Sequence, residues 1–288
     1  MDTQSHRMSL LVDMDMNSLA MTLTAIILPV LTLFYIRNDY NDWLSLGPGG
    51  TPSTPFGYAK IKLLSLICLR DPLRPLSVPP HFRPQKGYLS SLPARAGKRP
   101  LVQGIAPQRQ RTEKSSSDVY RSLVGSMRRL IEDPANALLE RTSCFEKNSS
   151  GLFSSEPITR TCGGEVCHAH PSDGSMHMTL HPADANVVLE NGWGERHPLA
   201  RGGWCRKFVP REFMLIYAPR DLEEVEHAVE IISAAVWWVA GIDVKKVGSE
   251  KRDSDTRVQE YVEAQSACTA CRTHACGSKA VEKMTGYT

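Results

Sequence analysis

An uncharged run close to the N-terminus limits most strongly what this chain can fold into. Residues 16–36 read MNSLAMTLTAIILPVLTLFYI, 21 residues without a charged side chain, preceded by Asp15 and followed by Arg37. At about 1.5 Å per residue, a helix of this length crosses roughly 30 Å, the thickness of a bilayer core. The run therefore predicts a transmembrane signal anchor over 16–36, in which Pro29 is tolerated as a kink.

Two other interpretations of this run fit less well. A cleaved signal peptide needs small residues at its cleavage site, and Arg37 and polar residues follow instead. A buried helix of a soluble protein is seldom this long without a charge. Because Arg7 precedes the run and Arg37, Lys60, Lys62 and Arg70 follow it, the positive-inside rule favours a cytoplasmic C-terminal part. We expect a single-pass protein of the endoplasmic reticulum or another endomembrane.

Composition excludes several classes of protein. The 34 basic and 31 acidic residues leave a formal net charge of +3, too even for a protein with a nucleic-acid partner. Eight cysteines in 288 residues are too few for a disulfide-built scaffold. The membrane and a small molecule are therefore the expected partners.

The chain divides into unlike parts. After the anchor, the apolar stretch 57–70 is too short to span and is expected to lie on a membrane or pack on the domain. Five prolines within 71–85 indicate irregular chain that serves as a tether. Cys268, Cys271, His274 and Cys276 resemble half of a zinc site, but no second half follows. The predicted parts are an N-terminal tail (1–15), the anchor (16–36), a membrane-proximal segment with the Pro-rich tether (37–89), a folded domain (90–245) and a disordered polar tail (246–288).

The folded domain combines helical and strand patterns. Apolar spacing predicts helices at 117–132 and 221–240, and Pro182 and Gly192 bracket a third. Short strands are predicted at 141–145, 151–153, 165–170, 176–181 and 213–218. We predict an α+β fold, a single small antiparallel-sheet domain with packed helices, preceded by an N-terminal transmembrane helix.

One predicted hairpin carries most of the candidate chemistry. His168 and His170 alternate with other residues along its first strand, and His177 and His181 lie along its second. A two-residue loop at Asp173-Gly174 pairs His170 with His177, whereas a four-residue loop at 171–174 pairs His168 with His177. Because paired residues share a sheet face, both registers bring His168, His170 and His177 together, and His181 extends the row.

Three imidazoles on one sheet face suit two kinds of chemistry. They can form a general base with orienting partners, because imidazole exchanges protons near neutral pH. They can also form a three-histidine metal site, with Glu165 or Asp173 as the carboxylate behind a ligand. Acid–base chemistry or polar substrate binding is favoured, and a metal is the weaker candidate. The alternative without function is a solvated face of cross-paired histidines.

The loop after the third predicted helix adds an aromatic ring and a fixed cation to these histidines. It brings together Trp193, Glu195, Arg196 and His197. An arginine beside a histidine suits an anionic or enolic oxygen. Trp193 is equally well explained by packing in the core.

Several stretches in order along residues 37–240 resemble one known family. The most specific is Gly192-Trp193-Gly194-Glu195-Arg196-His197-Pro198-Leu199-Ala200. The others include Arg37-Asn38-Asp39-Tyr40, Gln108-Arg109-Gln110-Arg111-Thr112, Thr142-Ser143-Cys144-Phe145-Glu146, the histidine hairpin and Tyr217-Ala218-Pro219-Arg220. On these residues the chain resembles the fungal luciferase family, the luciferase-domain proteins related to the enzyme of luminous mushrooms.

The resemblance implies a membrane-anchored enzyme that needs no added organic cofactor and uses O₂ as co-substrate; a metal is possible but not favoured. Luminous members of the family oxidise a hydroxylated α-pyrone, 3-hydroxyhispidin, through an endoperoxide that loses CO₂. For this chain the resemblance implies an oxygenase of secondary metabolism that acts on a hydroxylated pyrone, phenolic or polyketide. Light emission is not expected, because the domain also occurs in fungi that emit no light.

On this hypothesis the candidate residues take separate roles. A histidine removes the enol proton, and Arg196 holds the enolate or the nascent carboxylate. Trp193 and Tyr217 stack on the flat substrate. The catalytic candidates are His168, His170, His177, His197 and Arg196, and the substrate-binding candidates are Trp193, Glu195, Tyr217, Arg220 and Asp173.

Two functions from other classes stay open. One is a membrane-tethered protein that binds a flat small molecule without transforming it. The other is a metal-dependent hydrolase at the histidine site, which requires stoichiometric metal.

Overall fold

The computed structural model describes residues 2–244 and begins with one long helix. Helix α1 spans Asp2–Leu44 with Pro29 inside it, so the predicted 16–36 run lies within a helix that extends beyond both its ends. Over Ser18–Leu44 this helix is apolar enough to cross a membrane, and its most apolar part has no buried residue. The predicted disordered tail, with its cysteines and His274, lies outside the described residues.

A six-stranded antiparallel sheet forms the centre of the domain, which confirms the predicted α+β fold. The helices are α2 (Pro55–Ser65), α3 (Ser117–Glu132), α4 (Pro182–Glu190) and α5 (Leu222–Ala240). The strands are β1 (Val102–Gly104), β2 (Gln108–Gln110), β3 (Leu138–Thr142), β4 (Ser150–Ser154), β5 (Glu165–Ala169), β6 (Met176–Thr179), β7 (Gly194–Arg196) and β8 (Phe213–Ile216). The sheet order is β3-β4-β5-β6-β8-β7, and β1 pairs with β2 as a separate hairpin.

Capping residues set the helix ends that the sequence indicates. Ser116 caps α3 by accepting a hydrogen bond from the Val119 amide, and the Asp221 carboxylate does the same for α5 through the Glu224 amide. Gly241 ends α5 in the left-handed conformation, with φ of +75°. Both ends of α5 are therefore capped, and the helix packs on β5 and β6.

The core lies between one face of the sheet and helix α5. Met176 pairs with Ile216 and Met178 pairs with Met214, so these four side chains share a face. All four are fully buried, in one cluster with Ile232 of α5. Burying a side chain of this size stabilises the fold by about 1.5–3 kcal/mol, so this face supplies much of the stability.

The Pro-rich segment packs on the domain, which corrects its prediction as a free tether. Leu76 is buried, and its amide donates to Oδ1 of Asn186 on α4 at 2.7 Å. The amide of Leu89 donates to Oδ1 of Asp184 at 2.7 Å. Proline has no amide N–H, so this segment has few backbone donors that need an acceptor. Side chains of α4 accept hydrogen bonds from amides that remain, so irregular chain can pack here.

Candidate active site

The histidine hairpin folds in one of the two predicted registers. His168 pairs with His177 and Ala169 with Met176, which leaves the four-residue loop 171–174. Gly174 has φ of +82°, and a Cβ there would lie 2.3 Å from Oγ of Ser115, so the turn requires glycine. The ring nitrogens of His168, His170 and His177 lie within 4.8 Å of one another, all buried. The predicted cluster is therefore formed.

Glu165 reaches His168 because of a β-bulge. Gly151 pairs with His168 and Leu152 with Cys167, but Phe153 pairs with Glu165, so the register shifts by one residue. In a regular strand residues three apart point to opposite faces; the extra residue turns the Glu165 side chain towards His168. Its Oε1 lies 2.7 Å from His168 Nδ1. A carboxylate only accepts, so His168 Nδ1 donates to it.

A hydroxyl and a carboxylate orient His170. Nδ1 of His170 lies 2.9 Å from Oγ of Ser175. The Ser175 hydroxyl donates to Oδ1 of Asp173 at 2.7 Å, so its oxygen accepts the proton of His170 Nδ1. Nε2 of His170 has no hydrogen-bond partner among the described residues. Asp173, a predicted substrate-binding residue, therefore holds the hydroxyl that orients His170.

Gln108 orients His177 from a distant part of the chain. Its Oε1 lies 2.9 Å from Nε2 of His177, and its Nε2 donates to Oε1 of Glu195 at 3.2 Å. The amide orientation set by Glu195 makes His177 Nε2 the donor. Tyr217 donates its hydroxyl to Oε2 of the same Glu195 at 3.1 Å. Glu195 and Tyr217 thus join the cluster through Gln108.

His197 faces the cluster but has both ring nitrogens bonded to backbone. Its Nε2 lies 2.9 Å from the Ile105 carbonyl oxygen, and its Nδ1 accepts from the Leu199 amide at 3.1 Å. Burial lowers the pKa of His197 to about 4, so the ring is neutral at neutral pH. It offers its face, not a free nitrogen, to neighbouring groups.

Burial keeps two histidines of the cluster neutral, His170 and His177. Burial lowers the pKa of His170 to about 3, against the opposing effect of Asp173. Burial and the neighbouring imidazoles also hold the pKa of His177 well below its usual range. Neutral imidazoles carry a lone pair, which is the form that accepts a proton or binds a metal.

A cavity of about 260 Å³ opens above this cluster. Its walls are aromatic: Phe213 stacks on His177 with a centroid distance of 5.2 Å and an interplanar angle of 17°, and Phe145 lies 4.6 Å from Phe213. Glu146, the one carboxylate in its lining, forms an ion pair with Arg109. The lining lysines therefore make the cavity wall positively charged. The polar and charged residues that line it are Thr51, Lys60, Gln108, Cys144, Glu146, Lys147, His168, His177, His197 and Lys207.

Three predicted residues lie away from this cavity. Arg196 pairs with Met214 on the other face of the sheet, and its guanidinium donates to the Ala200 carbonyl at 2.5 Å. Trp193 is buried, with Nε1 bonded to the Pro93 carbonyl. Arg220 is occupied by an ion pair with Glu224. The roles predicted for these three as an oxyanion holder and substrate contacts do not fit their positions.

His181 does not extend the row, which corrects that expectation. It lies two residues beyond the end of β6 and caps α4, where its Nδ1 accepts from the Ala183 amide at 3.2 Å. Its ring packs on Trp238 with a centroid distance of 4.7 Å. The chain turns into α4 at Pro182, so the strand ends before the fourth histidine.

Sequence reasoning missed Gln108, Ser175, Phe145 and Phe213 as site residues. Gln108 belongs to the triplet Gln108-Arg109-Gln110, whose members are all buried. Three consecutive polar residues are rarely buried together. Nothing in the sequence marks this triplet as an exception. Phe213 lies two residues before Leu215 in β8, on the same face of the sheet, and Leu215 pairs with both His177 and Glu195. Only the register between β6 and β8 therefore places Phe213 beside the histidines.

The fold and the site together define an α+β protein with a buried histidine cluster beneath an aromatic, positively lined cavity. A luciferase-domain family model matches residues 163–235. The chain is 28% identical over 246 residues to a luciferase of Neonothopanus nambi, with 80% of this chain and 91% of that protein covered. It is 30% identical over 224 residues to a luciferase of Armillaria ostoyae, with 71% and 82% covered.

This chain belongs to the fungal luciferase family. No solved structure matches it. The matched residues contain the whole histidine hairpin and most of α5.

Proposed function

We propose that this protein is a membrane-anchored oxygenase that oxidises a hydroxylated pyrone, phenolic or related polyketide with O₂. One observation carries the proposal: a cavity walled by aromatic rings and edged by lysines lies directly over buried histidines. Aromatic walls suit a flat ring, and lysines suit an enolate or a carboxylate. Membership of the luciferase family supports the same class of chemistry.

The reaction can be balanced with O₂ as the only oxidant. The substrate's enol hydroxyl loses a proton, which leaves an electron-rich enolate. A ring carbon then gives two electrons to O₂ and forms one carbon–oxygen bond, so the carbon is oxidised and O₂ is reduced to a peroxide. The peroxide takes up one proton, and the sum is substrate plus O₂ giving a hydroperoxide.

The floor of the cavity provides an acceptor for the enol proton. His168 Nε2 and His177 Nδ1 face the same space, and the groups described above fix the protons on their other nitrogens. Positioned proton transfer of this kind contributes about 10²–10⁴-fold to a rate. Phe213 and Phe145 would hold the ring above these nitrogens, and Lys207 at the rim would favour the anion.

Oxygen consumption tests this function directly. Full-length protein in detergent is incubated with hydroxylated α-pyrones while dissolved O₂ and product mass are followed. We expect uptake by the wild type and by His81→Ala, an exposed control, and at least about 100-fold slower uptake by His177→Ala. Folded protein that binds a pyrone without consuming O₂ would contradict the oxygenase and favour the binding protein.

Membrane anchoring is part of the proposal. The apolar part of α1 is exposed along its length, and α2 adds exposed Phe56, Leu63 and Leu66 on a helix that contacts α1 through Tyr58 and Asp39. An exposed apolar patch beside a spanning helix suits the membrane surface. We place the protein in the endoplasmic reticulum or another endomembrane, with the domain in the cytoplasm.

Two measurements test this location. The wild type should float with liposomes after a high-salt wash, and recovery in the soluble fraction would contradict anchoring. Asn148-Ser149-Ser150 is an exposed glycosylation sequon. No glycosidase-sensitive mass shift is expected for a cytoplasmic domain, and such a shift would place the domain in the lumen.

A further inference from the structure

Three buried lone pairs converge at the floor of the cavity. Glu165, Ser175 and Gln108 each accept a hydrogen bond from a ring N–H of one histidine. In a neutral ring this places the lone pairs on His168 Nε2, His170 Nε2 and His177 Nδ1, and one ring nitrogen of each histidine lies within 4.8 Å of the others. His168 Nε2 and His177 Nδ1 are only 3.3 Å apart. Two lone pairs at this distance in a buried site would repel each other, so a cation between them, a proton or a metal ion, stabilises the arrangement.

The distance between the two nitrogens matches coordination geometry. Metal–nitrogen bonds to histidine are about 2.0–2.1 Å, so two ligands of a tetrahedral site lie about 3.3 Å apart. The pair His168 and His177 has this spacing.

The layer behind the histidines is that of a metal site. Ligating histidines nearly always donate their second ring N–H to a carboxylate, a carbonyl or a similar acceptor, which fixes the tautomer. Here His168 donates to Glu165, and His177 donates to Gln108. His170 donates to Ser175, whose hydroxyl is held by Asp173. Each histidine therefore has one ring N–H held by an acceptor, which leaves its other nitrogen for a metal.

A shared proton explains less of this arrangement than a metal does. One proton between His168 and His177 would relieve the repulsion within that pair. It would leave His170 Nε2 without a partner among the described residues, in a residue with 0% exposure, and an unsatisfied buried nitrogen destabilises the fold. An ion at the centre uses all three nitrogens.

We propose that His168, His170 and His177 bind one divalent transition-metal ion, with an open coordination position towards the cavity. Imidazole donors suit ions such as Zn²⁺, Fe²⁺, Co²⁺ and Cu²⁺ and not Mg²⁺ or Ca²⁺. His168 and His177 line the cavity, so a substrate oxygen or a water has access to the remaining position. Oε2 of Glu146 lies 3.9 Å from His170 Nε2, where it can accept a hydrogen bond from a bound water or hydroxyl.

This site reverses the preference drawn from the sequence, which favoured chemistry without a metal. The reversal comes from the tautomers, which depend on Gln108, Ser175 and the bulge at Glu165. A bound ion would also lower the pKa of a coordinated enol hydroxyl, and so would assist the proposed oxygenase reaction. Metal binding itself does not depend on that reaction.

The test must separate this site from the cysteine-containing tail. Every protein is therefore made full length, without a polyhistidine tag, and with Cys268, Cys271 and Cys276 changed to serine. Purified protein is loaded in turn with Zn²⁺, Fe²⁺, Co²⁺ and Cu²⁺, dialysed, and assayed by elemental analysis. Visible absorption of the Co²⁺ form reports whether coordination is tetrahedral, which elemental analysis alone does not.

The variants are His170→Ala, Glu165→Gln and the exposed control His81→Ala. We expect about one ion per chain in the wild type and in His81→Ala, at least about tenfold less in His170→Ala, and affinity about 10–100-fold weaker in Glu165→Gln. Metal should raise the melting temperature of the wild type and not of His170→Ala. His170→Ala is judged only if its circular dichroism matches the wild type; otherwise Glu165→Gln decides.

Two results would overturn the inference. Folded wild type that retains none of the four ions excludes the site, and so does folded His170→Ala that retains the full amount with an unchanged Co²⁺ spectrum. O₂ uptake is measured separately on loaded and metal-free protein. Uptake without metal would uphold the proposed function and reject the ion's part in it, whereas binding without uptake would uphold the site alone.

Discussion

The two faces of the central sheet are built from alternate residues of the same strands, yet they differ completely in chemistry. On the face towards α5, Met176 and Met178 pair with Ile216 and Met214 in an apolar core. On the other face, His177 pairs with Leu215, which in turn pairs with Glu195. Both faces are buried, so the polar one must satisfy each donor and acceptor. One face holds the fold together, and the other holds the candidate chemistry.

The apolar face should control stability and leave activity alone. Ile232 of α5 is fully buried there, so Ile232→Ala is expected to lower the free energy of unfolding by about 2–5 kcal/mol. Urea denaturation followed by circular dichroism measures this loss. Ile158→Ala is the control, because Ile158 is 71% exposed and should cost about 0.5 kcal/mol or less. Oxygen consumption per folded molecule should not change, and a parallel loss of activity would show that the two faces are not separate.

The polar face should show the opposite behaviour. Glu165→Gln keeps the size of the side chain but weakens the acceptor behind His168. We expect O₂ consumption to fall about 10–100-fold, while the free energy of unfolding changes by about 1–2 kcal/mol. The matched control is Glu190→Gln at an exposed position. Full activity in Glu165→Gln would remove Glu165 from the site.

A buried carboxyl outside both faces should produce a pH effect on stability alone. Burial raises the pKa of Asp184 from 3.8 to about 6, against the hydrogen bonds from the Leu89 and Tyr88 amides. Because the folded-state pKa is above the unfolded one, this group's stabilisation is complete below about pH 4 and lost as the pH rises through about 6. Between these limits the wild type should lose on the order of 2–3 kcal/mol that Asp184→Asn does not lose.

Unfolding free energies measured from about pH 4 to pH 7 test this difference. The exposed control Asp118→Asn should keep the wild-type slope, because Asp118 is 84% exposed in its side chain. Equal slopes in the wild type and Asp184→Asn would contradict the prediction.

The smallest effect is expected at Arg196. Its guanidinium lies on the face away from the histidines and donates to the Ala200 carbonyl. Arg196→Lys keeps the charge and one donor, so we expect a loss of about 1 kcal/mol in stability and less than about threefold in O₂ consumption. A loss of 100-fold or more would restore the catalytic role that the sequence predicts, because such a loss requires direct contact with the reaction.

Regular periodicities predicted much of the fold. The helix at 117–132, the capped start of α5 at Asp221 and the turn at Gly174 depend on signals within a few residues of each other. The clustering of His168, His170 and His177 also follows from strand alternation and one tight turn. Two predictions were wrong. His181 lies beyond the end of its strand, and the Pro-rich segment packs on the domain through hydrogen bonds to α4.

The roles of the candidate residues were harder to predict because they depend on long-range pairing. Arg196 is adjacent to His197 in sequence, yet strand alternation and the register with β8 place it on the other face. His197 is close to the cluster, yet backbone groups occupy both its nitrogens. Adjacency in sequence therefore identified the right region and misassigned individual side chains.

The sequence by itself determined that three imidazoles share one face of a hairpin, because alternation along a strand is a local property of the backbone. Only the tertiary structure decided which protons they carry. That depends on a bulge that turns Glu165 inward, on a serine held by Asp173, and on Gln108 from a separate hairpin about seventy residues earlier in the chain. Buried polar groups take their protonation from whatever acceptor packs against them, and those acceptors come from distant parts of the chain.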